Sequence, residues 1–289
     1  MLTSLPMKYP GPWFPVGALG VALAACGYPQ LPPLGGGDAS GGGGADAGTA
    51  DSDPPGHVAS NATWSGTVDV SETLTIDTGV TLTIAPGTTI RFAEGKSLVI
   101  SGSLDVRGQK AAVVKLSPAI AGGHYDGISV AASGQLNMTY GVQVGGGIVV
   151  DGGKITVSDS FMSQAPGDFL SILGAATVTV SYSQFGLGTG GGSDTTHTDV
   201  YISGAGSTIS ITHTNISTAP FGVMLYGGTG VNLTKNNWFS NFTDIDTQAG
   251  VMGDVSGGWF PNGAPMAAPG ATLIVTNAAT SRLSDAGPR

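Results

Sequence analysis

Residues 64–250 carry a short motif, an apolar–polar–apolar triplet, at a spacing that few folds accommodate. It appears as Leu74-Thr75-Ile76, Leu82-Thr83-Ile84 and Ile90-Arg91-Phe92, and again as Leu98-Val99-Ile100, Leu104-Asp105-Val106 and Val114-Lys115-Leu116. Each triplet reads as a strand with its ends facing in and its middle facing out, bounded by Gly, Asp, Ser or Asn. Leu74 to Leu98 is 24 residues, Leu82 to Leu104 is 22 and Ile90 to Val114 is 24, so three strands repeat as a unit. First strands continue at Ile128, Ile148, Leu170, Val200 and Val223, and second strands at Leu136, Ile155, Val178, Ile209 and Val231. A looser third set follows at Val142, Phe161, Phe185, Ile216 and Trp238. A unit of this size cannot bury its apolar ends alone, so successive units must stack into a solenoid. About seven turns at ~4.8 Å each make a prism roughly 35 Å tall. The middle of the second strand runs Thr83, Asp105, Asn137, Thr156, Thr179, Ser210, Asn232, all small and polar, as a solvated sheet face requires.

The expected fold class is therefore all-β, with three short strands per turn. The pattern resembles the right-handed parallel β-helix family, the fold of pectate lyases and many bacterial surface proteins. The resemblance rests on Leu74-Thr75-Ile76, Gly79-Val80-Thr81-Leu82-Thr83-Ile84, Pro86-Gly87-Thr88-Thr89-Ile90 and the turn with Asn236 and Asn237. It speaks for the fold over residues 64 to about 250 and not for an activity. A left-handed solenoid is disfavoured because its repeat is a shorter hexapeptide. The β-helix is placed at 62–250 and a C-terminal cap and tail, with Trp259 and Phe260, at 251–289.

The N-terminus reads as an address. Lys8, a short apolar stretch and the ending Leu23-Ala24-Ala25-Cys26 mark residues 1–25 as a signal peptide, too short to span a bilayer. The last four residues resemble the bacterial lipobox, which implies an acylated Cys26 and a membrane partner through the lipid anchor. Gly27 stands where Asp would favour inner-membrane retention, so the outer membrane is the expected location. Residues 26–61, rich in Gly, Ala, Asp and Pro and free of Lys and Arg, read as a disordered tether.

A formal net charge of −9 excludes a nucleic-acid partner held through phosphates, which needs clustered Lys and Arg. Cys26 is the sole cysteine, so no disulfide framework or Cys-rich metal site exists. Enzymes of the resembled family work on the outside of one sheet, lyases with Lys or Arg and often Ca²⁺, hydrolases with paired carboxylates. Between residues 116 and 281 the only basic side chains are Lys154 and Lys235, and the Asn-Thr-Asp, Asp-Asp and Gly-His-Gly signatures of polygalacturonases are missing.

One place concentrates chemistry. The long loop 188–196 rejoins the coil at His197-Thr198-Asp199-Val200-Tyr201. Strict alternation puts His197, Asp199 and Tyr201 on the outer face, with Phe169 and Ser171 one turn below and Met224 one turn above. The candidate catalytic set is Asp199, His197, Asp168 and Asp194, with Tyr201, Phe169 and Met224 as binding residues. The plainer account is a Gly-rich loop needing polar residues where it rejoins a solvated strand. A second column beside the bend after the second strand, Tyr140, Asp159, Tyr182, His213 and Lys235, reads as a solvent-facing ridge. Asp244, Asp246 and Asp254 fit no EF-hand, so Ca²⁺ has no sequence support; no metal site and no cofactor are assigned. The expected function is a lipid-anchored cell-surface or periplasmic protein that binds a glycan or another surface component, or serves structurally, without catalysis. The alternative is a polysaccharide hydrolase or lyase with its groove on the first sheet.

Overall fold

The computed structural model describes residues 56–188, 194–228 and 230–289. The signal peptide, Cys26, most of the tether and the centre of the 188–196 loop lie outside the described residues.

The chain is a parallel β-solenoid of about nine turns. Its three sheets hold nine, ten and eight strands, and each turn contributes one strand to each sheet in sequence order. Among the described residues there is no helix. The triplets explain why. Leu74 pairs with Leu98, Leu98 with Ile128, Ile128 with Ile148 and Ile148 with Leu170, all in parallel register. The inward ends thus form columns that are 0–8% exposed, while the middles face out. An outward face that tolerates solvent and an inward face packed like a domain interior give each strand its period of two.

Two more turns exist than the apolar triplets announce. His57–Val58 pairs with the first sheet at Thr75, inside the stretch read as tether. At the other end Thr243–Thr247 closes the stretch read as β-helix, Met252–Asp254 extends the ladders into the stretch read as cap, and Thr272–Ile274 adds the one further strand expected over 271–276. These strands carry one apolar anchor or none of the triplet form. An edge already in place needs only backbone groups to pair with.

The third sheet corrects two alignments. Ile90 pairs with Leu116 rather than Val114, because a small antiparallel bridge between Gln109 and Ala112 takes up two residues at the preceding corner. Val114-Lys115-Leu116 is apolar at both ends, so an even slip is invisible in the pattern. Phe161 pairs with Gln184, one residue off the expected column, and the core column is instead Leu116, Gln143, Met162, Phe185, Ile216 and Trp238. A one-residue slip exchanges faces. It also brings Gln143 fully into the core, where its Nε2 donates to Gly146 O while Oε1 has no partner.

The corner between the second and third sheets is built on left-handed residues. Tyr140, Asp159, Tyr182, His213 and Lys235 have φ between 47° and 57°. The residue after each forms a ladder: Gly141 N donates to Ser160 Oγ, Ser160 N to Ser183 Oγ, Ser183 N to Thr214 Oγ1 and Thr214 N to Asn236 Oδ1. Backbone donors lost at the bend are thereby satisfied from the neighbouring turn.

The expected solvent-facing ridge at this corner is instead partly covered by the chain's own C-terminal segment. Arg289 Nε and NH2 donate to the two carboxylate oxygens of Asp159 at 2.8 and 2.9 Å, and the guanidinium lies 3.8 Å above the Tyr182 ring. Gly287 N donates to His213 O, and Asn237 exchanges two hydrogen bonds with the Leu283 backbone.

Candidate functional site

Long connections from the third sheet back to the first, Phe185 to Thr198 foremost, hold the candidate site. The hydroxyls of Thr195 and Thr196 donate to the carbonyls of Gly167 and Pro166 in the turn below, which ties the rejoining loop down just before His197. His197 therefore sits over Asp168. Its Nδ1 donates to Asp168 Oδ1 at 2.7 Å, and the Ser171 hydroxyl donates to Oδ2 at 2.7 Å. Donors from two turns fix one carboxylate. An ionised carboxylate can only accept, so Nδ1 is the donor in this contact. The Asp168 side chain is 15% exposed and that of His197 47%.

Aromatic rings continue the site along the axis. His197 meets Tyr201 at 6.2 Å and the edge of Phe221 at 6.4 Å, and Tyr201 meets Tyr226 edge-on at 5.9 Å. The outward column of the first sheet runs Val149, Ser171, Tyr201, Met224, Asp246. Tyr226 donates to Asp246 Oδ2; burial, then this bond, push its hydroxyl up to about 12. Towards the N-terminal end the face opens into a cavity of about 570 Å³ lined by Glu94, His124, Asp126, Val149, Asp168 and Ser171.

The structure brings together His197, Asp168 and Tyr201, with Met224 beside them but only 8% exposed. Asp199 and Phe169 are not on the outer face. Asp199 and Phe169 are both fully buried, and Phe169 stacks on the core residue Phe185 at 6.5 Å. Phe169 and Leu170 are consecutive core residues, so the chain bends between them, and alternation does not carry across the corner. Asp199 aligns with Phe169 one turn below and with Gly222 one turn above. Asp168 and Asp199 thus do not face each other across a groove.

Asp199 is instead set against Asp194, whose like charge opposes its ionisation. Burial first, and the Asp194 charge second, raise the Asp199 carboxyl far above its ordinary range. The Ser217 backbone N–H acts in the opposite direction, yet neither carboxylate oxygen makes a hydrogen bond of good geometry. Asp194 is half-buried and its Oδ2 has no partner; burial pushes it up to about 6, against the pull of the Gln164 and Leu187 backbone N–H groups. Among the described residues no group of three or more His, Cys, Asp or Glu is placed to hold a metal ion. Asp244 bonds with Asn241, Asp246 with Tyr226, and Asp254 with its own turn at Ser256.

Glu94, Asp126 and Tyr226 escaped the sequence reading, His124 was not assigned to the site, and Asp246 was weighed only as a calcium ligand. Asp246 was reachable by counting one more rung, 22 residues, beyond Met224. Glu94, His124 and Asp126 come from different corner loops, and no strand period relates them. Comparison with models of known protein families, with curated proteins and with solved structures finds no match.

Proposed function

We propose that this chain is an exported, lipid-anchored protein that holds a glycan chain against the outer face of its first sheet, without cleaving it. The observation that carries the reading is Asp168, fixed by Ser171 and His197 at the rim of a large open cavity and continued by the Tyr201–Tyr226 ledge. Preset acceptors suit sugar hydroxyls, and tyrosine rings offer an apolar body with a polar tip. Glu94, Asp126 and Asp168 repel polyuronates, which leaves neutral or amino-bearing sugars as the ligand class. The lipobox-like Leu23-Ala24-Ala25-Cys26 and the tether composition support display at a membrane.

Titration of the protein with neutral, amino-bearing and uronate oligosaccharides tests this. Saturable binding of the first two classes, weakened about tenfold or more by Tyr201→Ala and by Asp168→Asn, is expected. Binding of uronates alone, or binding indifferent to both substitutions, would sink the site assignment. Cys26→Ala should release the protein from the membrane fraction; a variant that still partitions with membranes removes the anchor.

The enzymatic alternative retains one supporting observation, the 2.7 Å His197–Asp168 contact, which is the arrangement of an oriented general base. Under that reading, incubation shortens a polysaccharide and His197→Ala abolishes the shortening.

A further inference from the structure

A second cavity, of about 400 Å³, lies on the outer face of the third sheet. It belongs to a different sheet from the site described above, and its chemistry is the reverse. Val142, Val144, Pro118 and Leu187 supply apolar walls, and no Asp or Glu lines it. Two of the ten basic residues of this acidic chain, Arg91 and Lys115, do. Register explains their meeting: Lys115 pairs with Thr89 below and Val142 above, while Arg91 pairs with Ser117.

The two cations are not equivalent. Arg91 chelates Asp69 through Nε and NH2, both at 2.7 Å, so its charge is matched within the protein. The Lys115 ammonium has no ion pair or hydrogen bond among the described residues. An unmatched cation at the edge of an apolar hollow without carboxylates has one complementary class of ligand.

We propose that this cavity is a binding site for a compact organic anion, a carboxylate or sulfonate on an aryl or short acyl body, with Lys115 taking the anionic head and Val142 and Val144 the apolar part. The volume falls at the small end of the usual range for ligand pockets, roughly 300–1,000 Å³. The charge supplies orientation, and the burial of apolar surface supplies most of the affinity. The site stands independently of the glycan reading, since none of its lining residues faces the first sheet's cavity.

Two probes sharing one ring system test it on the full-length protein: 8-anilinonaphthalene-1-sulfonate and its uncharged analogue N-phenyl-1-naphthylamine. Saturable one-to-one binding of the sulfonate, followed by fluorescence, is expected. Lys115→Glu and Lys115→Met should each weaken the sulfonate about tenfold, the worth of one charge-assisted contact, and leave the uncharged analogue unchanged. Lys115→Met keeps the aliphatic stem, and an unaltered thermal midpoint shows that it still folds. Decanoate should displace the sulfonate. The proposal is overturned if the sulfonate fails to saturate, or if either substitution affects both probes equally or neither.

Discussion

A carboxylate in an apolar interior favours its neutral form, and a second carboxylate beside it deepens that preference. Asp194 and Asp199 share this situation, so the folded state holds protons that the unfolded chain gives up. With the Asp194 value raised to about 6, the stability it contributes is complete below the ordinary carboxylate range and is lost as pH rises through 6. Asp199, raised further, loses its contribution higher still. Urea denaturation should therefore show the protein gaining stability between pH 7 and pH 5, with about 1 kcal/mol as the order of magnitude for Asp194 alone over that window. Asp194→Asn should make that gain smaller, the slope that remains belonging to Asp199. A wild-type protein that weakens on this mild acidification contradicts the argument. Asp199 also marks what the sequence hid. His197, Tyr201 and Asp168 were legible because a loop rejoining a strand announces itself in composition. The inward turn at Asp199 was not, because alternation describes strands and Asp199 sits where the strand meets a corner, aligned with the core ring of Phe169.

Elements, by contrast, were written plainly. Leu74 over Leu98 and Leu82 over Leu104 follow directly from matching triplets. Leu82-Thr83-Ile84 admits one phase because its middle is polar, whereas Gln143 and Gln184 in the third sheet break the apolar signal where it was needed. Corners were the least legible elements, since they are held by backbone geometry. Gly134, between the first and second sheets, shows the constraint: a Cβ there would lie 2.1 Å from the Ile100 carbonyl of the turn below. Gly134→Ala should lower the thermal midpoint well beyond an ordinary surface substitution, by about 2 kcal/mol or more; an unchanged midpoint would mean the turns separate easily. The other corner is stapled by the C-terminal segment. Asp159→Ala and Arg289→Ala should each destabilise, and a double-mutant cycle should return a coupling of about 1 kcal/mol, a partly exposed chelate discounted for solvent. No coupling means that the guanidinium contributes nothing beyond its backbone neighbours.

The molecule as a whole is a stack in which each turn leans on the next, so its ends matter more than its middle. A chain beginning at residue 56 should match the thermal midpoint of the longer protein, whereas one beginning at residue 71 should unfold tens of degrees lower or not fold, because it uncovers Ile76 and Ile84 at an open edge. Equal midpoints for both would show that the first turn is ornamental. The three faces also divide the chemistry: carboxylates and tyrosines on the first, a column of small polar side chains with the Arg107–Asp105 pair on the second, an unmatched lysine on the third. The C-terminal staple has a mechanical meaning. A solenoid pulled by its last turn peels one rung at a time, each rung yielding at low load. Here the segment doubles back from the last turn to Asp159 and His213, several rungs inward, and bypasses the turns between. Load applied at Arg289 enters the stack mid-body, as shear across several ladders at once, so in a force-extension trace the coil should hold until the staple parts and only then unwind.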